Sequence, residues 1–283
     1  MTMVVDSHQH FWDPDRREYP WLTEPQIRRR FGPEHLAPQL TKAGVDRTVL
    51  IQTVATVDET MEFLTIASET TFVAGVVGWI ALGDPHVMHA LARIRATPHG
   101  RLLVGIRHNA HEERDPRWLM RREVRRGIEA VGAAGLAYDL QIRTREAPAA
   151  LEIVKSLTDV RFVIDHVAKP QIAKGPRDVD WERAFRPFGD CPNVTCKLSG
   201  MVPDAPGMRW SADDIVPYVQ RVLTWFGPER CMFGSDWPVC LVAASYGEVI
   251  RATRHAIGSL DAAARARVMG INAMRVYRLQ PVQ

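Results

Sequence analysis

The segment VVDSHQHFWDP, Val4 to Pro14, closes a short apolar run with Asp6 and then sets His8 and His10 one residue apart. In an extended strand, residues two apart share a face, so the two imidazoles point the same way. Paired imidazoles can ligate a metal ion or donate hydrogen bonds to a substrate oxygen. A strand-end histidine can also be a hydrogen-bonded packing residue, and HxH alone is a weak signal. Three further segments carry chemistry: GIRH with Arg107 and His108, VIDHVAKP with His166, and MFGSDWPV with Asp236. Alone, Asp236 could simply cap the turn before Pro238. Together with the histidines it reads as part of one site.

Such a site needs a scaffold that brings residues 8, 107, 166 and 236 together. Eight β-rich runs alternate with amphipathic stretches. The runs are MVVDSH from Met3, RTVLIQT from Arg47, FVAGVVGWI from Phe72, LLVGIRH from Leu102, GLAYDLQI from Gly135, RFVIDHV from Arg161, NVTCKLS from Asn193 and CMFGSDW from Cys231. Helical periodicity marks Glu59 to Glu69, His86 to Ala96, Trp118 to Ala134, Ala147 to Thr158, and Asp213 to Phe226. A last helix is expected from Leu260 to Met269, after Ser259 and ending before Gly270. Leu22 to Pro33 and PQIAKGPRDVDW from Pro170 read as longer loops. Alternating strands and helices imply a parallel sheet, and eight units in 283 residues imply a closed (β/α)8 TIM barrel, a single domain over residues 1–283. A doubly wound open sheet is the alternative, but DSHQHFW lacks the glycine-rich phosphate turn that should follow its first strand.

Barrel chemistry sits at the C-terminal ends of the strands. The expected strands end in Asp6, His8 and His10; Gln52; Trp79; Arg107 and His108; Asp139 and Gln141; Asp165 and His166; Lys197 and Ser199; and Ser235, Asp236 and Trp237. Four of the ten histidines lie there, more than a random scatter would place.

Composition excludes several other classes. The net charge of +3 is too small to argue for nucleic acid. Only five of the 36 basic residues are lysines, a bias that fits a GC-rich genome at least as well as any binding role. MRREVRRG, from Met120, reads as a solvated helix face without the interleaved aromatics of a single-strand binder. Cys191, Cys196, Cys231 and Cys240 show no metal-binding spacing, and a reduced, cytoplasmic protein is expected. No secretory leader and no membrane-spanning run is expected.

The full set of segments, DSHQHFWDP, YPWL, VVGW, GIRH, VIDHVAKP, CKLSG and MFGSDWPV, resembles the amidohydrolase superfamily, in its amidohydrolase 2 branch. The resemblance runs from residue 5 to about residue 278 and is most similar to sugar-lactone hydrolases of the L-fuconolactonase and L-rhamnonolactonase type. It implies attack of water on a lactone carbonyl at the barrel mouth. Asp236 is then the expected general base, and later the acid that protonates the leaving alkoxide. His8, His10 and His166 are expected to surround the reacting centre, one or more of them donating to the oxyanion or, with a metal bound, holding the Lewis acid that does so. Arg107 and His108 are expected to bind sugar hydroxyls or the nascent carboxylate. Trp79, Trp237 and Trp12 either form an apolar wall against the sugar or pack the mouth. Lys197 is left between binding substrate and pairing with Asp139. This chain departs from metal-rich members: no lysine stands where binuclear members carboxylate one, and of the two later ligand histidines that metal-binding members supply only His166 is found. No metal is therefore expected to be required, although His8, His10, His166 and Asp236 could hold a single divalent ion such as zinc. The alternatives are a zinc-dependent decarboxylase or amide hydrolase on the same barrel, and a non-catalytic sugar-acid binding protein. The expected partner is a small sugar lactone, with no nucleic acid and no membrane, and homo-oligomer formation is left open.

Overall fold

Runs of Val, Ile and Leu buried on both faces suit strands of a parallel sheet covered by helices. The computed structural model, which describes residues 3–202 and 210–280, contains eight of them. They are β1 (Val5–Gln9), β2 (Arg47–Ile51), β3 (Val73–Gly78), β4 (Leu103–His108), β5 (Ala137–Leu140), β6 (Arg161–Ile164), β7 (Val194–Leu198) and β8 (Cys231–Phe233). Each pairs in parallel with the next, in the order β1 to β8. The ring closes just beyond β8: Asp236 N donates to His8 O at 2.9 Å and His10 N to Trp237 O at 2.7 Å. This is the TIM barrel expected from the alternation. Residues 1–2, 203–209 and 281–283 of the expected domain lie outside the described residues.

The helices are α1 (Pro33–Ala43), α2 (Val57–Glu69), α3 (Val87–Arg95), α4 (Arg122–Ala133), α5 (Ala147–Ser156), α6 (Val179–Phe185), α7 (Ala212–Phe226), α8 (Tyr246–Ala256), α9 (Ala262–Ala266) and α10 (Asn272–Val276). Their apolar faces, such as Ile128 and Val131 of α4 or Tyr218 and Val222 of α7, join the core outside the strands. The arginines at positions 121, 122 and 126 face solvent, as expected of MRREVRRG. No helix among the described residues is long and apolar enough to cross a membrane.

Several boundaries differ from the sequence expectation, each for a local reason. β6 stops at Ile164 rather than Val167, because His166, Val167, Ala168 and Lys169 all take positive φ. β8 stops at Phe233, and Asp236 also has a positive φ of 58°. The helix expected to end before Gly270 instead runs on through a π turn, Arg267–Ile271, into α10. Gly270 is there for close approach: a Cβ on it would lie 2.0 Å from Met3 O. α6 starts inside the segment expected to be a loop from Pro170. α1 and α8 were missed although both carry end signals, Pro33 with Gly44 and a Ser245–Glu248 capping box.

The C-terminal segment closes the N-terminal end of the barrel. Ala273, Val276, Tyr277 and Leu279 pack against the inward residues Val5, Val49, Val77, Val104, Ala137, Val163 and Met232. Asn272 Nδ2 ties the segment to the strand layer by donating to Pro228 O and Cys231 O, each at 2.7 Å. Asn272→Ala leaves two carbonyls without this donor. It is expected to cost about 2–3 kcal/mol and lower Tm by about 4–8 °C in thermal unfolding; an unchanged Tm would show that the tether is dispensable.

Candidate active site

Strand β1 does not run evenly to its histidines. Its pairing to β2 shifts register between Asp6 and Gln9, the mark of a bulge, which re-aims side chains. As a result Val5 faces the barrel interior and His8 does too, in contact with Lys197, Asp165 and Arg107. Asp6 turns away. It accepts from Ser235 N at 2.8 Å, His8 N at 3.1 Å and the Tyr246 hydroxyl at 3.1 Å. Burial raises its carboxyl to about 6 despite these donors. Asp6 therefore locks β1 to the turn that carries Asp236.

At the mouth four groups converge. His8 Nε2 and His10 Nε2 are 3.1 Å apart, and Asp236 Oδ1 lies 3.4 Å from His10 Nε2, 3.7 Å from His8 Nε2 and 3.9 Å from His166 Nε2. All four residues are buried. His10 Nδ1 lies 2.9 Å from Ile51 O. A carbonyl only accepts, so Nδ1 carries a proton and Nε2 is the ring nitrogen that faces the mouth. His166 Nδ1 is 2.9 Å from the Ser199 hydroxyl. Burial holds His8 and His166 well below the usual histidine value, so both are neutral near pH 7. Burial would raise the Asp236 carboxyl, but His166 and the hydrogen bond from His10 outweigh it and leave it lowered and ionised.

One layer deeper lies a fully buried charged set. Lys197 Nζ is 2.6 Å from Asp139 Oδ2, 2.9 Å from Asp165 Oδ1 and 3.3 Å from His8 Nδ1. Arg107 Nη1 donates to Asp165 Oδ2 at 3.1 Å and stands 3.4 Å from His8 Nε2, while Nη2 donates to Gln52 O. Burial favours protonation of Asp165, but Lys197, His8 and Arg107 hold its carboxyl well below the usual range. Two cations thus balance two carboxylates. Lys197 pairs with Asp139 inside the barrel, one of the two roles left open by the sequence.

A cavity of about 430 Å³ opens above this floor. It is lined by His10, His166, Asp236 and Arg107, and by loop residues including Trp21, Glu24, His111, Gln141, Arg143 and Lys169. His8, fully buried beneath the floor, stands outside that lining, and so do His108, Trp79, Trp12 and Trp237. His108 stacks on Trp118 with 4.0 Å between ring centroids, accepts from Trp79 Nε1 at 3.0 Å, and lies 2.8 Å from Glu113. Trp12 packs on Trp21 and Phe31, and Trp237 on Phe11 and Phe31. His108 and the three tryptophans thus make their ring contacts with the walls of the mouth. Sequence reasoning missed His111, Arg143 and Lys169. Lys169 was within the quoted VIDHVAKP, but its access to the cavity follows from the left-handed turn after β6. Burial together with Lys169, Arg143 and Arg107 lowers His111 to about 3, so that imidazole is neutral. Among the described residues its Nδ1 and Gln141 Oε1 are buried without partners, two polar atoms left for a ligand.

The mouth also fits one divalent ion. Donor atoms of His8, His166 and Asp236 lie within 4.8 Å of one another, and His10 Nε2 lies 3.1 Å from His8 Nε2 beside them. Three imidazoles and a carboxylate are a donor set suited to zinc, and Asp165 Oδ1, 3.4 Å from His8 Nδ1, could orient that ring.

Comparison with known proteins adds relatives. The amidohydrolase family profile matches residues 5–279. An L-fucono-1,5-lactonase of Burkholderia ambifaria is 38% identical over 285 residues, 99% of this chain and 97% of the relative. One of Burkholderia multivorans is 34% identical, over 98% of this chain and 97% of the relative. Among solved structures, an amidohydrolase from Burkholderia multivorans with bound zinc superposes with a TM-score of 0.92 at 33% identity, covering 98% of this chain and all of that chain (100%).

Gly200, in the CKLSG segment, sets the space for His166. It has a φ of 58°, and a Cβ there would lie 2.4 Å from His166 Nδ1. Gly200→Ala is expected to push the His166 ring away from Ser199 and lower Tm by several degrees. A crystal structure of the variant checks this; a ring left in place would contradict it.

Proposed function

The chain belongs to the amidohydrolase family, and we propose that it hydrolyses a sugar lactone to its aldonic acid, with the six-membered L-fucono-1,5-lactone as the first candidate. The observation that carries this reading is an ionised, buried carboxylate, Asp236, ringed by three imidazoles on the floor of a cavity large enough for one sugar ring. The near full-length similarity to two L-fucono-1,5-lactonases supports the choice of sugar.

A lactone is an ester, so three demands follow. Water must lose a proton, the carbonyl oxygen must be stabilised as it gains charge, and the ring oxygen must be protonated as it leaves. Asp236 takes the proton from water as the new C–O bond forms. His166, with the Ser199 hydroxyl donating to its Nδ1, turns an Nε2–H toward the carbonyl oxygen. His8 and His10 hold the carboxylate and the water. As the ring C–O bond breaks, Asp236 returns its proton to the alkoxide. The aldonic acid then ionises, and Arg143 and Lys169 attract the new carboxylate, with Arg107 below contributing to the positive field. His111 Nδ1 and Gln141 Oε1 accept from sugar hydroxyls. When a divalent ion is bound, His8, His10, His166 and Asp236 would hold it, and it would supply Lewis acidity at the carbonyl.

The test is acid release from a panel of aldono-lactones, with and without chelator. Turnover of L-fucono-1,5-lactone is expected, falling about 10²–10⁴-fold in Asp236→Asn; no turnover of any sugar lactone would sink the proposal, and a near-normal rate in Asp236→Asn would remove that residue from the chemistry. Chelator-resistant turnover would assign the reaction to the side chains alone. Complete loss, restored by added zinc, would make the ion part of the enzyme. Arg143→Gln is expected to weaken product inhibition by the aldonate about tenfold, read from inhibition constants; unchanged inhibition would place the carboxylate elsewhere.

A further inference from the structure

The hydrolysis uses groups at the mouth and leaves unexplained a line of buried polar atoms beneath them. Tyr277 follows α10 in the segment that closes the opposite end of the barrel, and it is 1% exposed. Its hydroxyl donates to Asp139 Oδ2 at 2.7 Å. The same oxygen accepts from Lys197 Nζ at 2.6 Å, and that ammonium stands 3.3 Å from His8 Nδ1. The Lys197 Nζ also sits 5.4 Å from the centroid of the Tyr277 ring. Three short contacts thus join the C-terminal segment to an imidazole beside Asp236.

Filling space does not call for a phenol here. The ring belongs to the apolar cluster that includes Val5, Val77, Val104, Ala137 and Met232, and phenylalanine would pack there as well. The hydroxyl has one protein partner, the carboxylate of Asp139. A buried carboxylate with one donor from below and one from the side has its rotation fixed. Asp139 Oδ1 has no partner among the described residues, so both of the donors it receives converge on Oδ2. Remove the lower donor, and the carboxylate can turn and draw Lys197 down with it. Lys197 then leaves His8. Asp165 does not follow: its Oδ2 is held by Arg107, and its Oδ1, 2.9 Å from Lys197 Nζ, is the second carboxylate contact of that ammonium.

We propose that Tyr277 is a positioning residue: through Asp139 it fixes Lys197, and Lys197 fixes the His8 ring, so the C-terminal turn sets active-site geometry from the far end of the barrel. Tyr277 touches no substrate. The proposal rests on the lactonase reading for its kinetic arm only.

The experiment is a double-mutant cycle on the full chain. Tyr277→Phe keeps the ring and loses only the hydroxyl. It is expected to lower kcat about tenfold with KM within about twofold, because substrate contacts are intact. Lys197→Met should lower kcat at least as far, and adding Tyr277→Phe to it should bring little further loss, since both act through one chain. Asp139→Asn serves as the second corner if Lys197→Met does not fold. A merely structural role predicts a lowered Tm with unchanged kcat in Tyr277→Phe, and that result would overturn the proposal, as would losses that multiply in the double variant. The crystal structure of Tyr277→Phe gives an arm independent of turnover. Lys197 Nζ should move beyond hydrogen-bond reach of His8 Nδ1; an unmoved network would overturn the proposal. If the wild type turned over no lactone, the assigned function would fall, and the relay would be judged on this displacement.

Discussion

The structure depends on one buried ammonium. Lys197 lies wholly inside the barrel, between Asp139 and Asp165 and beneath His8. Desolvating an isolated charge costs several kcal/mol even after relaxation, so this lysine is tolerable only with its carboxylates. Two carboxylates around one ammonium would leave an excess negative charge. Arg107, paired with Asp165, removes it. The four charges come from β4, β5, the end of β6 and β7, so charge balance is met only when those strands hold register. The interior therefore trades some hydrophobic packing for a layer whose geometry has little freedom.

That rigidity is what the mouth needs. Burial lowers the His8 imidazole and outweighs Asp165, whose Oδ1 lies 3.4 Å from Nδ1; Lys197 at Nδ1 adds to the effect, and Arg107 stands at Nε2. A protonated ring there would face two like charges, so the imidazole stays neutral. Asp236 is tuned in the opposite sense: the surrounding imidazoles outweigh burial and keep it ionised. Two buried groups a few ångströms apart are thus driven into complementary states, a neutral ring beside an anionic carboxylate.

Much of this was legible in the sequence because it follows from periodicity. Alternating strand and helix patterns announced the barrel, and the barrel placed His8, His10, His166 and Asp236 at one end. What escaped depends on backbone that breaks the period. The bulge in β1 turns Asp6 outward while keeping His8 inward. The left-handed run from His166 to Lys169 brings a lysine to the cavity that an even strand would not. His108 was read as binding the sugar or its carboxylate, and the three tryptophans were left between facing the sugar and packing the mouth; ring contacts hold all four outside the cavity lining. Arg143 and His111 belong to loops, where no periodic rule assigns a direction. Tyr277 is separated by 138 residues from its partner Asp139, and no local pattern could join them.

The central claim is that water attacks the acyl carbon of a sugar lactone beside Asp236. The most direct test is hydrolysis of L-fucono-1,5-lactone in ¹⁸O-labelled water, with product analysed by mass spectrometry before exchange. The account predicts enzyme-dependent label in the carboxylate and none in the hydroxyl released from the ring. Label at that hydroxyl carbon would mean cleavage of the other C–O bond and would contradict the account.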